Sequence, residues 1–218
     1  MSKDGITLDP LKVQAILELP TPRTLHRLQI LQGKANFLRR FVLDYATTAH
    51  GFLRLLRTTV PFVWDDYAQQ YFFSLKHALT SAPLISPPHF TKDFILYISA
   101  SADSVASILI EEDDDQNEHI ISSISKNLVG PHVNYSHEEK LVLVVMFFVQ
   151  KLHHYTLTRT TRVVTKSNPM TFLLGQHIII GEYARCIRVF LRSKMGFLRT
   201  LENNSGNNKI ILEYIIKF

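Results

Sequence analysis

The period of the apolar residues changes near the middle of the chain, and this change limits the possible folds more than any other feature. Before Pro83, leucine and phenylalanine return every three or four residues, for example over 24–41, which is typical of amphipathic helices. After Pro87-Pro88, the segments 94–99 and 105–110 are rich in β-branched and aromatic residues, which is typical of strands. Helices followed by strands predict an α+β fold made of two units.

The first unit is predicted to be all-helical and to cover residues 1–83. Asp9-Pro10 begins an amphipathic run and Pro20-Thr21-Pro22 ends it, which predicts a short helix. Trp64-Asp65-Asp66 is predicted to cap the last helix of the unit, because it directly precedes another amphipathic run. Further helices are expected over residues 24–41, 52–56 and 66–79.

The second unit is predicted to be a mixed sheet with helices over residues 84–192. A buried helix is expected over 138–154, because apolar residues lie on every side of that segment; two strands are the alternative. The acidic run 111–115 is expected to form a solvated turn. The expected strands and the start of a second helix lie at 94–99, 105–110, 119–125, 160–165 and 170–174.

The end of the chain, residues 193–218, is predicted to be an irregular tail. A polar linker at 203–208 separates an isolated apolar segment, 210–218, from the rest of the sequence. This segment fits a last strand as well as a ragged end.

The charge of the chain is modest overall but uneven along the sequence. It carries 24 basic and 19 acidic residues, a formal net charge of +5. Between Arg23 and Arg57, seven basic residues stand against one acid, Asp44, which is a local excess of six positive charges. Such a patch attracts polyanions through counterion release, but a solvated helix face has the same composition. Both interpretations stay open.

Several features of the sequence point to an intracellular protein. No run approaches the roughly 18 apolar residues that a membrane span needs, so no membrane partner is expected. Residues 1–5 lack the apolar core of a secretory signal. The single Cys186 excludes an internal disulfide and a multi-cysteine zinc site. We therefore expect a reducing compartment, cytoplasmic or nuclear.

Four polar side chains in the basic region are candidate contacts to a nucleic-acid backbone: Lys34, Asn36, Arg39 and Arg40. Phe37 and Phe41 lie among them, and basic groups with interleaved aromatic rings suit a phosphate backbone. The alternative is that the two phenylalanines, four residues apart, fill a helical core while the charged groups face water.

The histidines and the cysteine suggest weaker alternatives. A zinc cluster of His119, His137, His153 and His154 is conceivable, but structural zinc usually recruits cysteine at tight spacing, and histidines near the C-terminal dipole of a helix explain these residues better. Cys186 has no matching motif for a nucleophile and is expected to be a buried small residue.

Several short motifs follow one another in an order that is hard to obtain by chance. Residues 9–22 are similar to the start of a reverse transcriptase thumb, and Gln32–Phe41 is similar to the motif G-x-A-N-Y-Y-R-R-F. Further matches are Phe62-Val63-Trp64, Ala78–Pro83, Phe94–Tyr97, Asn134-Tyr135-Ser136, Glu139-Lys140 and His154-Tyr155. Over roughly residues 5–190 the chain therefore resembles the pol polyprotein of Gypsy-type LTR retrotransposons.

The resemblance implies a helical thumb, which in the family holds primer and template, followed by a ribonuclease H-like domain. In the family this domain cuts RNA in RNA:DNA hybrids with Mg²⁺ ions, which need several carboxylates as ligands. At the matching positions this chain has Ser99, Leu141 and Lys166, which replaces a formal charge of −3 by +1. The resemblance is therefore to elements whose own ribonuclease H has degenerated, and no Mg²⁺ is expected to bind here.

The expected function is a non-catalytic module that holds an RNA:DNA hybrid or a duplex beside other parts of a Pol polyprotein. The first alternative is an active, metal-dependent endonuclease that cuts RNA in hybrids with displaced acids, for which Asp103, Glu138 and Glu139 are the candidates. Helix capping is the competing explanation for the two glutamates. The second alternative is a decayed remnant that acts only as a protein-binding scaffold.

Overall fold

The computed structural model describes residues 6, 8–56, 61–89, 91–156, 159–167, 169, 172, 195–202 and 208–215. The helices are α1 (Pro10–Leu17), α2 (Leu25–Leu38), α3 (Tyr45–Leu53), α4 (Asp66–Thr80) and α5 (His137–Thr156). The strands are β1 (Phe94–Ala100), β2 (Ser104–Glu112), β3 (Glu118–Asn127), β4 (Thr161–Thr165), β5 (Met195–Glu202) and β6 (Asn208–Ile215). Helices α1 to α4 form the helical unit, and the remaining elements form a mixed α/β unit, which confirms the predicted fold class.

The helices of the helical unit begin where side chains satisfy the first free N–H groups. Asp9 accepts a hydrogen bond from the N–H of Leu11 at 3.0 Å, and Pro10 occupies the first helical position. At the start of α4, Asp65 accepts from the N–H of Ala68 at 2.9 Å, so its predicted role as a cap is confirmed. These are local interactions, which is why the sequence shows them.

The helical unit has its own apolar core, into which Leu28, Phe52 and Phe72 project. Helices α3 and α4 approach each other closely at Gly51. A Cβ atom at this position would lie 2.4 Å from Cδ2 of Tyr71, so only glycine allows this packing.

The sheet has six strands in the order β3-β2-β1-β4-β5-β6. Strands β1, β2 and β3 form an antiparallel meander, whereas β4 pairs with β1 in parallel. Helix α5 covers one face, where Phe94 and Leu96 of β1 and Val163 of β4 join its apolar residues in one cluster. The predicted buried helix is therefore confirmed, and the strand alternative is wrong.

The helical unit packs on the opposite face of the sheet. Val105 belongs to the cluster under α5, and neighbouring residues of a strand point to opposite faces, so Ser104 points away from α5. The hydroxyl of Thr47 in α3 lies 2.7 Å from that of Ser104, and the N–H of Ala46 donates to the Ser125 hydroxyl at 2.9 Å. The sheet thus lies between α5 and α3.

The end of the chain differs from the prediction of an irregular tail over 193–218. Residues 195–202 and 208–215 form β5 and β6, which extend the sheet beyond β4. The expected helix start at 170–174 lies almost entirely outside the described residues, and Cys186 lies outside them as well. Of the polar linker 203–208, only Asn208 lies within the described residues, and it begins β6.

We predict opposite stability effects for the same substitution at two helical glycines. Gly51→Ala pushes a methyl group into Tyr71, and overpacking of this kind costs about 1–3 kcal/mol. Gly33→Ala meets nothing within 4 Å, so the higher helix propensity of alanine should stabilise the chain by up to about 1 kcal/mol. Urea unfolding of both variants measures the difference. Equal effects at the two positions would contradict the close packing of α3 on α4.

The cap of α4 should make stability depend on acid pH. The N–H of Ala68 and the Arg54 guanidinium lower the pKa of Asp65 below its ordinary value of 3.8. The stabilisation is therefore complete above pH 3.8 and is lost as pH falls through the lowered pKa. Asp65→Asn keeps a capping side chain but cannot titrate, so unfolding measured between pH 5 and 2 should change less steeply with pH than in the parent. An unchanged slope would show that Asp65 contributes nothing.

Candidate functional site

The predicted nucleic-acid contacts lie on the outward face of α2 and just after its end. Lys34, Asn36 and Arg40 are exposed, and Phe37 between them is 55% exposed. The explanation that both phenylalanines fill the core is therefore right for Phe41, which is buried, and wrong for Phe37. The face combines basic groups with an exposed aromatic ring.

Helix α1 adds a cation to this face that the sequence analysis missed. The Lys12 ammonium lies 3.9 Å from the centroid of the Phe37 ring, and Lys34 donates to the carbonyl oxygen of Ala15 at 3.4 Å. Both contacts depend on how α1 packs against α2, so no local sequence pattern predicts that Lys12 lies beside Phe37. We call the group Lys12, Lys34, Asn36, Phe37 and Arg40 the basic face.

Arg39 has a different position from its neighbours. Its guanidinium donates to the carbonyl oxygen of Ser125 in β3 at 2.8 Å, and to Oδ1 of Asn36 at 3.4 Å. It also lies 5.7 Å from the ring of Tyr45, whose pKa burial raises to about 12. Arg39 is exposed, yet it connects α2 to the sheet, so one of its functions is to position the basic face.

Gly33 lies in the middle of α2, with open space where its side chain would be. A glycine inside a helix costs about 1 kcal/mol relative to alanine. Packing within the described part of the chain does not explain this cost. A close approach of another molecule to the backbone at Gly33 would explain it.

Two of the three positions matched to family acids lie side by side. Tyr97 of β1 pairs with Val164 of β4, and Ser99 and Lys166 each lie two residues further along these parallel strands. Both residues are exposed. The structure thus brings a hydroxyl and an ammonium to the same carboxyl ends of the strands.

Leu141 does not join them at the surface. It is 1% exposed and belongs to the cluster under α5, together with Ile98. Ser99 follows Ile98 and therefore points to the other face of the sheet. The three side chains offer a hydroxyl, a buried hydrocarbon and an ammonium, a set that does not fit the anionic oxygen ligands Mg²⁺ requires.

Asp103, the first candidate for a displaced acid, is bound by the helical unit. One carboxylate oxygen lies 2.9 Å from Nε2 of His50 in α3, and the other accepts from the Ser101 hydroxyl at 3.1 Å. Beside it, the buried Lys140 ammonium donates to the carbonyl oxygen of Ala102 at 2.8 Å. We call His50, Asp103 and Lys140 the joint; no sequence pattern links His50 to Asp103.

The other candidate acids begin α5. Glu139 accepts from the N–H of Ser136 at 2.7 Å, and the Ser136 hydroxyl accepts from the N–H of Glu139 at 3.2 Å. This reciprocal pair of hydrogen bonds is a capping box, so Glu139 caps the start of α5. Glu138 lies in the same first turn.

The histidines considered for zinc lie in β3 and at the two ends of α5. His119 in β3 is 3.0 Å from Asp113, His137 is the first residue of α5, and His154 lies in the last turn of that helix against Tyr155. The interpretation by a C-terminal helix dipole thus fits His154, but it does not fit His137, which begins α5, or His119, which lies in β3. Across the described residues, no three histidine, cysteine, aspartate or glutamate side chains are grouped to hold a metal ion. Nor is any described helix long and apolar enough to cross a membrane.

Comparison with known proteins agrees with this architecture. Residues 64–163 match the family described as "RNase H-like domain found in reverse transcriptase". The chain is 33% identical over 187 residues to the retrovirus-related Pol polyprotein from transposon opus of Drosophila melanogaster, covering 80% of this chain and 18% of that protein. It is 29% identical over 188 residues to the polyprotein from transposon gypsy of the same organism, with the same coverage. The chain thus spans less than a fifth of the length of these curated relatives.

Solved structures share the fold at lower sequence identity. A foamy viral protease-reverse transcriptase in complex with double-stranded DNA superimposes with a TM-score of 0.75 at 18% identity, over 91% of this chain and 36% of that one. The foamy viral enzyme in complex with an RNA/DNA hybrid superimposes with a TM-score of 0.72 at 16% identity, over 89% of this chain and 27% of that one. At this identity the likeness concerns the fold alone.

We predict that the ion pair of the joint contributes to stability by a small, salt-dependent amount. Asp103→Asn removes the attraction to His50 but keeps the size of the side chain. Because the side chains of His50 and Asp103 are 30% and 40% exposed, the loss should be at most about 1 kcal/mol and should shrink in high salt.

Urea unfolding at low and high salt measures this effect, and Asp115→Asn, which changes an exposed acid in the β2–β3 turn, is the matched control. An equal change in the two variants would show that the His50–Asp103 pair has no particular role.

Proposed function

We propose that this chain, whose residues 64–163 match the RNase H-like domains found in reverse transcriptase and which is similar to Gypsy-type transposon Pol polyproteins, holds nucleic acid without cutting it. The basic face of α2 is the observation that carries the proposal. It joins ammonium, guanidinium and amide groups to an exposed ring on one side of the helical unit.

The composition of the basic face suits a phosphate backbone. Lys12, Lys34 and Arg40 supply positive charge, and Asn36 supplies an amide that donates and accepts hydrogen bonds. Phe37 offers an apolar edge to sugars or bases. Gly33 leaves room for a backbone to approach α2 closely, which gives a reason for a helix-weakening residue at this place. Arg39 is proposed to contribute a further N–H donor while it holds the face against β3.

The same proposal accounts for the positions that match family acids. Two Mg²⁺ ions would have to bind beside Ser99 and Lys166, and each like-charge contact with the ammonium at this range opposes them by about 1–4 kcal/mol. Asp103 does not replace the missing acids in this account, because His50 and Ser101 engage its two oxygens. Lys166 instead adds positive charge that favours a phosphate without a metal.

The whole protein from which such a segment comes would set its partners. The related polyproteins are much longer than this chain, and we propose that the segment acts beside other parts of such a polyprotein. The foamy viral enzymes of similar fold were solved with double-stranded DNA and with an RNA/DNA hybrid, which favours these two ligands. An intracellular setting, cytoplasmic or nuclear, follows from this proposal.

Binding measured without metal tests the proposal. The full chain should bind a fluorescently labelled RNA:DNA hybrid and a DNA duplex in EDTA, with an affinity that falls steeply as salt rises. Lys34→Ala with Arg40→Ala should weaken binding by about tenfold or more and lower the salt slope by about two, since each lost phosphate contact lowers it by about one. Gly33→Ala should weaken binding although it stabilises the fold.

A matched double variant, Lys126→Ala with Lys151→Ala, removes the same charge from the side of the sheet that carries α5. The affinity of this variant should stay within about twofold of that of the parent, because these two lysines contribute only through the net charge of the chain. Equal losses of affinity in the two double variants would show that the binding is only non-specific electrostatic attraction. Absence of binding at low salt would refute the proposal and favour a protein-binding scaffold.

A cleavage assay on the labelled hybrid with Mg²⁺ or Mn²⁺ distinguishes the endonuclease alternative from the proposed non-catalytic function. We expect no turnover above a buffer control. Metal-dependent turnover that disappears in Asp103→Asn would overturn the non-catalytic assignment and identify Asp103 as a displaced ligand.

A further inference from the structure

The helical unit and the sheet keep separate apolar cores. The buried residues in the core of the helical unit run from Ile16 to Leu79, and those of the cluster under α5 run from Phe94 to Val163. A third, smaller cluster is made of strand residues alone. Within the described part of the chain, no apolar cluster therefore joins the helical unit to the sheet.

Hydrogen bonds of hydroxyl and backbone groups connect the two units. The Thr47 and Ser104 hydroxyls lie 2.7 Å apart, and the Ser125 hydroxyl accepts from the N–H of Ala46 at 2.9 Å. The Arg39 guanidinium donates to the Ser125 carbonyl oxygen at 2.8 Å. We call Arg39, Ala46, Thr47, Ser104 and Ser125 the hydroxyl interface. Each of its polar groups can bond to water as well as to its present partner.

The packing at one end of the hydroxyl interface is incomplete. Asn127 pairs with Ser104 across β2 and β3, so its side chain lies on the face of the sheet that the helical unit covers. Its Oδ1 is buried and has no hydrogen-bond partner among the described residues, which is unfavourable. A pocket of about 180 Å³ lies beside it between the two units, lined by His50, Leu53, Arg54, Asn127, Leu128 and Val129. Separation of the units would let water reach Oδ1 and satisfy it.

The chain links the two units near the other end of β3. The N–H of Ser86 donates to the carbonyl oxygen of Ile120 at 2.7 Å, so the segment after Ile85 stays with the sheet. Ile85 also pairs with Ile6, so the chain before α1 reaches the same place. Ile120 lies near the start of β3 and Ser125 near its end, about 15 Å further along the strand. The link and the hydroxyl interface are therefore well separated.

We propose that the helical unit separates reversibly from the sheet at the hydroxyl interface, turning about the segment between α4 and Ile85, while both apolar cores stay intact. Polar interfaces between units permit such relative motion. The open state exposes groups that water can satisfy, so it lies closer in free energy to the closed state than the unfolded chain does. Because Arg39 leaves Ser125 in the open state, the end of α2 is released and the basic face changes its orientation to the sheet.

Two buried serines of β2 test this motion in the full chain with Cys186→Ser. Ser104 is 1% exposed and faces the helical unit, whereas Ser107 is 3% exposed and pairs with Ile98 of the cluster under α5. A cysteine at either position reacts with N-ethylmaleimide only when its cover opens. Without denaturant, Ser104→Cys should react about tenfold or more faster than Ser107→Cys, each rate being taken relative to that of the unfolded chain. Equal rates would overturn the proposal.

Hydrogen exchange at Ala46 reports the same motion through a second group. Its N–H lies in the first turn of α3 and donates to the Ser125 hydroxyl, so separation of the units frees it. In the Ser104→Cys variant, the opening constant from this amide, measured by NMR, should agree within about threefold with that from the thiol, because one motion exposes both groups. Constants that differ by more than about tenfold would show two independent local movements, and the proposal would be wrong.

Two neighbouring arginines show whether the hydroxyl interface is what opens. Arg39→Ala removes the bond to the Ser125 carbonyl oxygen, so Ser104→Cys should react about threefold or more faster. Arg40→Ala removes the same charge from an exposed position and should change the rate by less than about twofold. Equal effects of the two substitutions would contradict opening at this interface. All rates are measured without nucleic acid, so a failure of the proposed binding function would leave these results unchanged.

Discussion

The packing of α5 against β1 and β4 is the interaction on which the rest of the mixed α/β unit depends. Phe94, Leu96 and Val163 on the sheet meet Val145 and Phe148 of the helix, and all five are fully buried. Burying side chains of this size contributes about 1.5–3 kcal/mol each. Because the helix is held along its length, its first turn is held too. The strand ends beside that turn therefore keep a fixed relation to Lys140 and to the cap at Ser136.

This packing also explains what occupies the position of a family acid on α5. Leu141 extends the apolar cluster, and a carboxylate there would need a cation or several donors to offset its burial. Clustered acids in a metal site lower the stability of the protein when no ion is bound. They are retained only where a bound ion offsets this loss. Without a bound ion, a hydrocarbon at this position stabilises the fold more than a carboxylate would.

The parts of the structure that were predicted from sequence are those set by local interactions. Asp9 and Asp65 cap their helices through bonds within three residues, and the change of period near Pro83 separates helices from strands. Strand β5 was not predicted, and β6 was left as one of two alternatives, because a strand is defined by its partner: β5 pairs with β4, some 30 residues earlier in the chain. At the site, the exposure of Phe37 and the contribution of Lys12 depend on how two helices pack, which composition does not encode.

Asp103 shows why an acid near the right place in sequence is a poor guide to chemistry. It lies four residues after Ser99, but its oxygens are directed to His50 and to a neighbouring hydroxyl. In an active nuclease of this fold, metal ions would supply the positive charge at these strand ends. Here protein groups occupy these strand ends: the ammonium of Lys140 donates to the carbonyl oxygen of Ala102, and an imidazole from α3 lies against Asp103. The Asp103 carboxylate thus joins the loop after β1 to α3 and helps to hold the helical unit on the sheet. An acid close in sequence to a matched position therefore does not by itself indicate a metal ligand.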